Sequence, residues 1–333
     1  MENKSPILEV RGLKQIFDSP RKWFKKSRHI YALNGVDLYV NEGETLGIVG
    51  ESGSGKSTLL RSIIRLYKPT AGEIIFQGKN ITRMSEKEFL PLRKDMQMIF
   101  QDPYASLDPH MNIKEIISEP LIIFKKRKLL SLGRHEIEGR VHSLIEKVGL
   151  SVDVLHRYPH EFSGGQRQRI GIARSLALNP RLILADEPVS ALDVSIQGQV
   201  LNLMREVQQE FGLSYLFVAH DLAVVHYMAD RIAVMYRGHV VEIAGSDDLY
   251  HRPRHPYTQA LLASVPMPCG NKAFVPPLLY EATDDLITQK SLCACPFVSR
   301  CPYAQGRCRE EYPILQKLQN NHAVACFFIK RTD

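Results

Sequence analysis

A single copy of the pattern G-x-x-x-x-G-K-[ST] occurs in the chain, at Gly50-Glu51-Ser52-Gly53-Ser54-Gly55-Lys56-Ser57-Thr58. Loops of this pattern bind phosphate groups, because their glycines let backbone N–H groups wrap the anion and the following helix N-terminus favours negative charge. Lys56 can reach the outer phosphates of a nucleotide, and Ser57 can bind Mg²⁺. The alternative is an ordinary turn rich in glycine and serine. An apolar run before the loop and helically spaced leucines after it favour a nucleotide-binding loop.

A pair of carboxylates, Asp186 and Glu187, follows the apolar run Leu182-Ile183-Leu184-Ala185. In nucleotide hydrolysis we expect Asp186 to hold Mg²⁺ and Glu187 to orient and deprotonate the attacking water. A strand that simply ends in solvent is the alternative explanation of this pattern. The phosphate-binding loop upstream on the same chain favours the catalytic interpretation.

A second candidate anion site lies at Ser163-Gly164-Gly165-Gln166, where a helically spaced apolar pattern begins. Ser163 is a favourable helix N-cap, and the glycines beside it leave the first N–H groups of the helix accessible. An ordinary capped helix is the alternative. One phosphate loop already binds one nucleotide. A second helix N-terminus suited to phosphate therefore suggests that this segment acts on the ATP of another subunit.

The candidate residues lie at the ends of predicted strands and helices. The run Thr45–Val49 is apolar without alternation, as is typical of a strand buried on both faces, and Leu182–Ala185 and Ser214–Ala219 share this character. Between about 101 and 178 the apolar residues mostly recur at helical spacing, which predicts a helical insert. Ligands of open α/β sheets bind at the carboxyl ends of strands. The loop, the acidic pair and His220 therefore all follow strands where a ligand is expected.

These motifs resemble those of the ATP-binding cassette (ABC) ATPases, with the resemblance covering residues 7 to about 262. The segment Ser163-Gly164-Gly165-Gln166 matches the signature motif of that family, although Phe162 stands where leucine is commoner. The resemblance implies an α/β fold of the P-loop NTPase type, with a RecA-like core, an antiparallel β subdomain and a helical subdomain at about 101–178. We therefore predict a nucleotide-binding domain at 1–262 and a small cysteine-bearing C-terminal extension at 263–333.

Further site residues follow from the same resemblance. Gln101 matches the Q-loop glutamine, which binds Mg²⁺ and water beside the permease contact. Ser190-Ala191-Leu192-Asp193 matches the D-loop at the dimer interface, and His220 matches the switch histidine that contacts the γ-phosphate. Phe17 is the aromatic expected to stack on adenine, with Tyr31 as the competing residue.

The resemblance also implies a mechanism based on a head-to-tail dimer. Each ATP then lies between the phosphate loop of one subunit and the signature helix of the other. Closure expels water and completes the site, and hydrolysis to ADP and phosphate reopens it. Whether the second ATPase subunit is another copy of this chain or a related protein stays open.

Two segments, Asn179–Gln199 and Pro253-Arg254-His255-Pro256-Tyr257-Thr258-Gln259-Ala260-Leu261-Leu262, are similar to the peptide and nickel importer branch of the family. The second is characteristic of oligopeptide and dipeptide importers, particularly the second ATPase of their usual pair. The resemblance implies import of di- or oligopeptides. The implied partners are two transmembrane permease subunits, a second ABC ATPase subunit and an extracytoplasmic peptide-binding protein. Uptake of nickel or of antimicrobial peptides is the alternative.

Four cysteines are spaced C-x5-C-x6-C-x17-C near the end of the chain: Cys295, Cys301, Cys308 and Cys326. In a reducing compartment such crowding indicates a metal site rather than disulfides, and four thiolates suit tetrahedral zinc or an iron–sulfur cluster. The C-terminal extension of the peptide importers, which this segment resembles, is associated with a [4Fe–4S] cluster. That cluster is the cofactor we predict, with zinc or reduced structural cysteines as alternatives and Cys293 as a substitute for Cys295.

Composition sets the remaining limits on function. The 333 residues carry a formal net charge of +7, which suits nucleotide, nucleic acid or an anionic membrane surface alike. No apolar run approaches the roughly 20 residues of a membrane-spanning helix, and the first residues lack the apolar core of a secretory signal. We therefore expect a peripheral protein on the cytoplasmic face of the cell membrane.

The rival functions are a soluble ABC ATPase that acts on nucleic acid and a non-catalytic regulatory cassette. The stretch between Lys56 and Ser163 lacks the sustained heptads of a long coiled coil, and the phosphate loop occurs once rather than twice, so no nucleic-acid partner is expected. A regulatory cassette would have lost Lys56, Glu187 or His220, and all three are present.

Overall fold

The computed structural model describes residues 5–18, 29–264 and 293–328. Its strands are β1 Pro6–Asp18, β2 His29–Asn41, β3 Thr45–Val49, β4 Ala71–Phe76, β5 Lys79–Asn80, β6 Met96–Ile99, β7 Leu182–Asp186, β8 Ser214–Val218, β9 Arg231–Tyr236, β10 His239–Gly245, β11 Gln316–Lys317 and β12 Ala323–Val324.

The α-helices are α1 Lys56–Ile63, α2 Glu86–Arg93, α3 Pro103–Ser106, α4 Ile113–Lys126, α5 Arg134–Lys147, α6 Gly164–Leu176, α7 Val194–Phe211, α8 Leu222–Met228, α9 Ser246–His251, α10 Pro256–Ala263 and α11 Gly306–Glu310. Short 3₁₀ helices are found at Val152–His156, Pro159–Glu161 and Gln319–Asn321. The described residues divide into two units. The first draws on 5–7, 40–44 and 83–216, and the second on 8–18, 29–39, 45–82, 217–264 and 293–328.

The first unit contains most of the helices predicted from apolar spacing. Its strands β6 and β7 pair in parallel, with Met96 opposite Leu182 and Ile99 opposite Ala185. The helices α3, α4 and α5 each pack against α6. Their apolar faces are buried, as the spacing of their residues predicts, through Ile116, Ile117, Val141, Leu144, Ile145, Ile170 and Ala173.

The second unit contains the strand that leads into the phosphate loop. All five residues of β3 are buried, in agreement with its unbroken apolar sequence. β3 pairs in parallel with β9, β9 pairs antiparallel with β10, and β10 pairs antiparallel with β12. A second sheet has the order β2-β1-β4-β5, in which β4 runs antiparallel to both β1 and β5. The second sheet contains antiparallel β structure of the kind that the resemblance implies.

The C-terminal residues 293–328, called the tail below, dock on β10 through strand pairing and a buried contact between a carboxylate and a histidine. Val324 of β12 lies opposite Glu242, whose side chain is fully buried. The carboxylate of Glu242 accepts hydrogen bonds from the backbone N–H groups of Arg254 and His255 and lies 2.7 Å from Nε2 of His322. The predicted boundary near residue 262 stays a prediction, because residues 265–292 lie outside the described part.

None of the helices in the described ranges is long and apolar enough to cross a bilayer.

Candidate nucleotide and signature sites

The phosphate loop joins the carboxyl end of β3 to the N-terminus of α1. Its glycines are required by close contact with other backbone segments: a Cβ at Gly50 would lie 2.2 Å from the carbonyl oxygen of Met235, and one at Gly55 would lie 2.5 Å from that of Ala32. Gly55 also has φ 104°, in the left-handed region that favours glycine. The tight turn therefore depends on these two glycines and leaves the start of α1 facing the loop.

Lys56 is the first residue of α1 and is 5% exposed. Its Nζ donates hydrogen bonds to the carbonyl oxygens of Gly50 and Glu51, at 2.7 and 3.1 Å. Ser57 and Thr58 follow it and are half-buried. A lysine ammonium, two hydroxyls and a helix N-terminus thus lie within one short loop, which is the donor set that a phosphate needs.

The loop is also fixed by residues that lie far away in the sequence. The N–H of Gly238 donates to the carbonyl oxygen of Ser54 at 2.9 Å, and the N–H of Glu51 donates to the hydroxyl of Tyr257 at 2.9 Å. Tyr257 is 1% exposed, and burial raises the pKa of its hydroxyl well above the usual value. The sequence around Tyr257 indicates only a likeness to the peptide importers, and it does not predict that the hydroxyl of Tyr257 holds the phosphate loop.

The acidic pair lies at the carboxyl end of β7 in the first unit. Asp186 is fully buried, and Glu187 is half-buried with φ 46°, a left-handed conformation that costs energy in a residue with a side chain. The amide Nε2 of Gln101 donates to the carboxylate of Glu187 at 3.1 Å. Gln101 follows β6, which pairs in parallel with β7, so the two side chains meet because both leave the same edge of the sheet.

The signature segment begins α6 as predicted, with Ser163 as the N-cap. The hydroxyl of Ser163 accepts from the N–H of Gln166 at 3.4 Å, and the side chain of Gln166 accepts from the N–H of Ser163 at 3.0 Å. This reciprocal capping box fixes the helix start. A Cβ at Gly165 would lie 2.5 Å from Cγ2 of Ile196, so this glycine lets α6 approach α7.

The D-loop connects the acidic pair to the signature helix within the first unit. The hydroxyl of Ser190 donates to the carbonyl oxygen of Glu187 at 3.1 Å, which braces its left-handed backbone. Farther along, Leu192 packs beside Gly164, where a Cβ would lie 3.3 Å from the leucine Cδ2. Asp193 is exposed at the N-cap position of α7. The predicted catalytic carboxylate and the predicted signature glycines are thus joined by one short loop.

Two other predicted residues lie in the second unit. His220 is exposed and follows β8, directly before Asp221, which caps α8 by accepting from the N–H of Ala223 at 2.8 Å. Phe17 lies near the end of β1, and its ring packs edge-on against Tyr67 with centroids 5.2 Å apart. The roles of His220 in contacting a phosphate and of Phe17 in stacking on adenine stay predictions.

The four predicted cysteine ligands line one cavity. Burial raises the pKa of the Cys295 thiol to about 12, and burial also raises the pKa of Cys301 and Cys326. Cys293 is exposed and does not line the cavity.

Among residues 5–18, 29–264 and 293–328, no group of three or more His, Cys, Asp or Glu side chains is placed to hold a metal ion. The ligand set predicted from the spacing therefore stays a prediction.

Two segments of the chain match models of known protein families. Residues 33–190 match the ABC transporter family, and residues 241–308 match the family described as oligopeptide/dipeptide transporter, C-terminal region. The chain is 48% identical over 333 residues to the oligopeptide transport ATP-binding protein OppF of Salmonella typhimurium, covering 98% of this chain and 97% of that protein. It is also 48% identical over 326 residues to the oligopeptide transport ATP-binding protein AppF of Bacillus subtilis, covering 97% and 98%.

Solved structures of ATP-binding cassettes are similar in fold. The dimeric post-hydrolysis state of the cassette MJ0796, bound to ADP and Pi, has a TM-score of 0.63 and 32% identity and covers 72% of this chain and 98% of its own. The structure of cbiO1 from Clostridium perfringens has a TM-score of 0.63 and 27% identity, covering 75% and 92%. These likenesses confirm the predicted ABC-type α/β fold.

The packing of α6 gives a stability prediction with an internal control. Gly165→Ala should lower the free energy of unfolding by about 1–3 kcal/mol, because the new methyl group collides with Ile196. In Gly171→Ala, on the same helix, the new methyl group meets nothing within 4 Å. This variant should raise the free energy of unfolding by about 0.5–1 kcal/mol. Urea denaturation of both variants measures the difference, and equal effects would contradict the packing described here.

Proposed function

This chain belongs to the ABC transporter family, and on that premise we propose that it powers the import of di- and oligopeptides across the cytoplasmic membrane. It is an ATPase of the ABC type. The observation that carries the peptide cargo is the similarity along nearly the whole chain to proteins named for oligopeptide transport. The match of residues 241–308 to the C-terminal region of oligopeptide/dipeptide transporters adds to it.

The phosphate loop is the part of the chain that binds the triphosphate in this proposal. The N–H groups from Gly50 to Thr58 and the N-terminus of α1 donate to the phosphates, while Lys56 contributes its charge. The residues that would hold Mg²⁺ are Ser57, Gln101 and Asp186, whose donors are all oxygens, as this ion prefers. When bound, Mg²⁺ neutralises the charge that develops on the phosphates.

Hydrolysis needs a base that activates water. Glu187 serves this role, and the hydrogen bond from Gln101 fixes the rotamer of its carboxylate. The left-handed backbone of Glu187, braced by Ser190, sets the direction in which the carboxylate leaves the strand. His220 contacts the γ-phosphate and supports the charge that develops there.

The signature segment acts on the nucleotide of a second ATPase subunit. The capping box of Ser163 and Gln166 holds the first turn of α6 in place, so its N–H groups are already oriented for an anion. Asp193 in the D-loop lies at the interface of the pair. Closure of the two subunits over ATP and their opening after hydrolysis drive two transmembrane permease subunits, which receive peptide from an extracytoplasmic binding protein. The chain works at the cytoplasmic face of the membrane as a peripheral subunit.

The cysteine cavity is proposed to hold a [4Fe–4S] cluster through Cys295, Cys301, Cys308 and Cys326. Four thiols around one cavity fit the chemistry of such a group, whose ligands are thiolates. Burial raises the pKa of the Cys295, Cys301 and Cys326 thiols, so their deprotonation would be coupled to metal binding. A bound cluster would cross-link the segments that carry the four cysteines.

Glu187→Gln should reduce ATP hydrolysis and peptide uptake at least about a hundredfold and leave Mg-ATP binding intact, because only the base is removed. Hydrolysis is measured with the complete transporter in proteoliposomes, and uptake is measured with a labelled tripeptide. Glu206→Gln, an exposed carboxylate on α7, is the matched control and should behave like the parent chain. Undiminished hydrolysis by the Glu187 variant would contradict the assignment of the base. Hydrolysis by the parent without peptide uptake would contradict the cargo.

Protein purified without oxygen should contain iron and acid-labile sulfide and absorb in the visible range of thiolate–iron clusters. Cys308→Ala should lose both, since Cys308 lines the cavity, whereas Cys293→Ser should retain them. Stoichiometric zinc without iron in the parent chain would reject the cluster.

A further inference from the structure

The tail reaches the phosphate loop through one ion pair in the second unit. Nη1 of Arg300 donates to both carboxylate oxygens of Glu51, at 3.0 and 2.9 Å. The side chain of Arg300 is 19% exposed and that of Glu51 is 44% exposed, so the pair is partly shielded from water. Glu51 is the second residue of the phosphate-binding pattern. A residue 249 positions away along the chain therefore fixes a side chain of the loop.

Glu51 is held at three separate points. Its carboxylate accepts from Arg300, its N–H donates to the hydroxyl of Tyr257, and its carbonyl oxygen accepts from Lys56. The first two partners lie outside the loop. A loop segment fixed in this way loses less conformational freedom when it binds a ligand, and that preorganisation raises affinity.

One phenylalanine of the tail, Phe297, contacts both of these outside partners, Tyr257 and Arg300. The Phe297 ring, 0% exposed, lies 5.5 Å from the ring of Tyr257 and 5.3 Å from that of Tyr236. Arg300 is in the turn that follows, where its N–H donates to the carbonyl oxygen of Phe297 at 3.1 Å. The position of Arg300 is therefore set by the packing of Phe297.

The turn that carries Arg300 also carries two thiols of the cysteine cavity. Cys295 and Cys301 flank Phe297 and Arg300 in the sequence, and the N–H of Cys295 donates to the carbonyl oxygen of Cys308 at 2.9 Å. All three thiols line the cavity together with Phe297. The same short segment therefore lines the cysteine cavity and forms the ion pair with Glu51.

Electrostatics gives this ion pair a direct effect on nucleotide binding. A carboxylate in a phosphate-binding loop repels a triphosphate, and Arg300 compensates that charge through Nη1, which donates to both carboxylate oxygens. Loss of Arg300 would leave the carboxylate of Glu51 uncompensated in the loop. The affinity for the anion would then fall, while the residues that activate water would keep their own contacts.

From these contacts we propose that Arg300 is a positioning residue through which the cysteine-bearing tail sets the affinity of the phosphate loop for nucleoside triphosphate. This inference rests on the proposed function, because it assigns a determinant of affinity to the same loop.

The test compares the full-length parent with Arg300→Ala, Glu51→Gln and the double variant, using Mg-ATP as the probe. Arg300→Ala should raise the Kd and KM for Mg-ATP about three- to tenfold and change kcat less than about twofold. In the double variant the uncompensated charge is gone, so binding should be tighter than in Arg300→Ala. Arg307→Ala is the control: this arginine pairs with Glu311 at 3.0 Å in the same tail and should leave binding unchanged.

Each outcome separates this inference from the proposed function. An unchanged Kd in Arg300→Ala, or a fall in kcat with KM unchanged, would overturn the role of Arg300. A double variant as weak as Arg300→Ala would overturn the charge argument. Failure of the parent chain to bind Mg-ATP would instead reject the proposed function.

A second measurement separates positioning from general destabilisation. Because linkage is reciprocal, Mg-ATP must slow amide hydrogen exchange in residues 295–308 of the tail if the packed tail favours binding. Arg300→Ala should lose this protection, whereas exchange in helix α5 should be the same in both proteins, with or without Mg-ATP. Equal exchange of residues 295–308 in the parent with and without Mg-ATP would overturn the coupling.

Discussion

A triphosphate can be bound only where several N–H donors and a cation face the same small volume, and one tight turn in this chain meets that requirement. The turn forms because Gly50 and Gly55 allow the loop to press against the carbonyl oxygens of Met235 and Ala32. The fully buried strand β3 anchors one side of the loop, and α1 begins on the other. The close packing of these glycines is therefore the constraint on which nucleotide binding depends.

A second set of contacts links the residues of the first unit that are proposed to act in hydrolysis. Gln101 donates to Glu187, Ser190 braces the backbone of Glu187, and Leu192 from the same loop packs beside the signature helix. A displacement of the signature helix would therefore be transmitted to the carboxylate of Glu187 through these few contacts. Such short connections suit the proposed mechanism, in which Glu187 is the base and the signature helix acts on the nucleotide of a second subunit.

Local patterns predicted much of this arrangement. The strands β3 and β7 follow from unbroken apolar runs, and the N-cap at Ser163 follows from residues that are neighbours in the sequence. Contacts between distant positions could not be predicted in the same way. Nothing in the spacing around Tyr257 or Arg300 indicates that both would reach Glu51, because such contacts depend on how separate elements pack. The need for Gly165 likewise arises from Ile196 on another helix.

The most direct test of the account is the affinity of the full-length chain for Mg-ATP, measured by calorimetry in the parent and in Lys56→Ala. Lys56 supplies the cation of the loop and is held over it by two backbone carbonyls. The account predicts that the parent binds one Mg-ATP per chain and that the variant binds it at least about tenfold more weakly. Equal affinity in the two proteins would contradict the assignment of the loop as the nucleotide site.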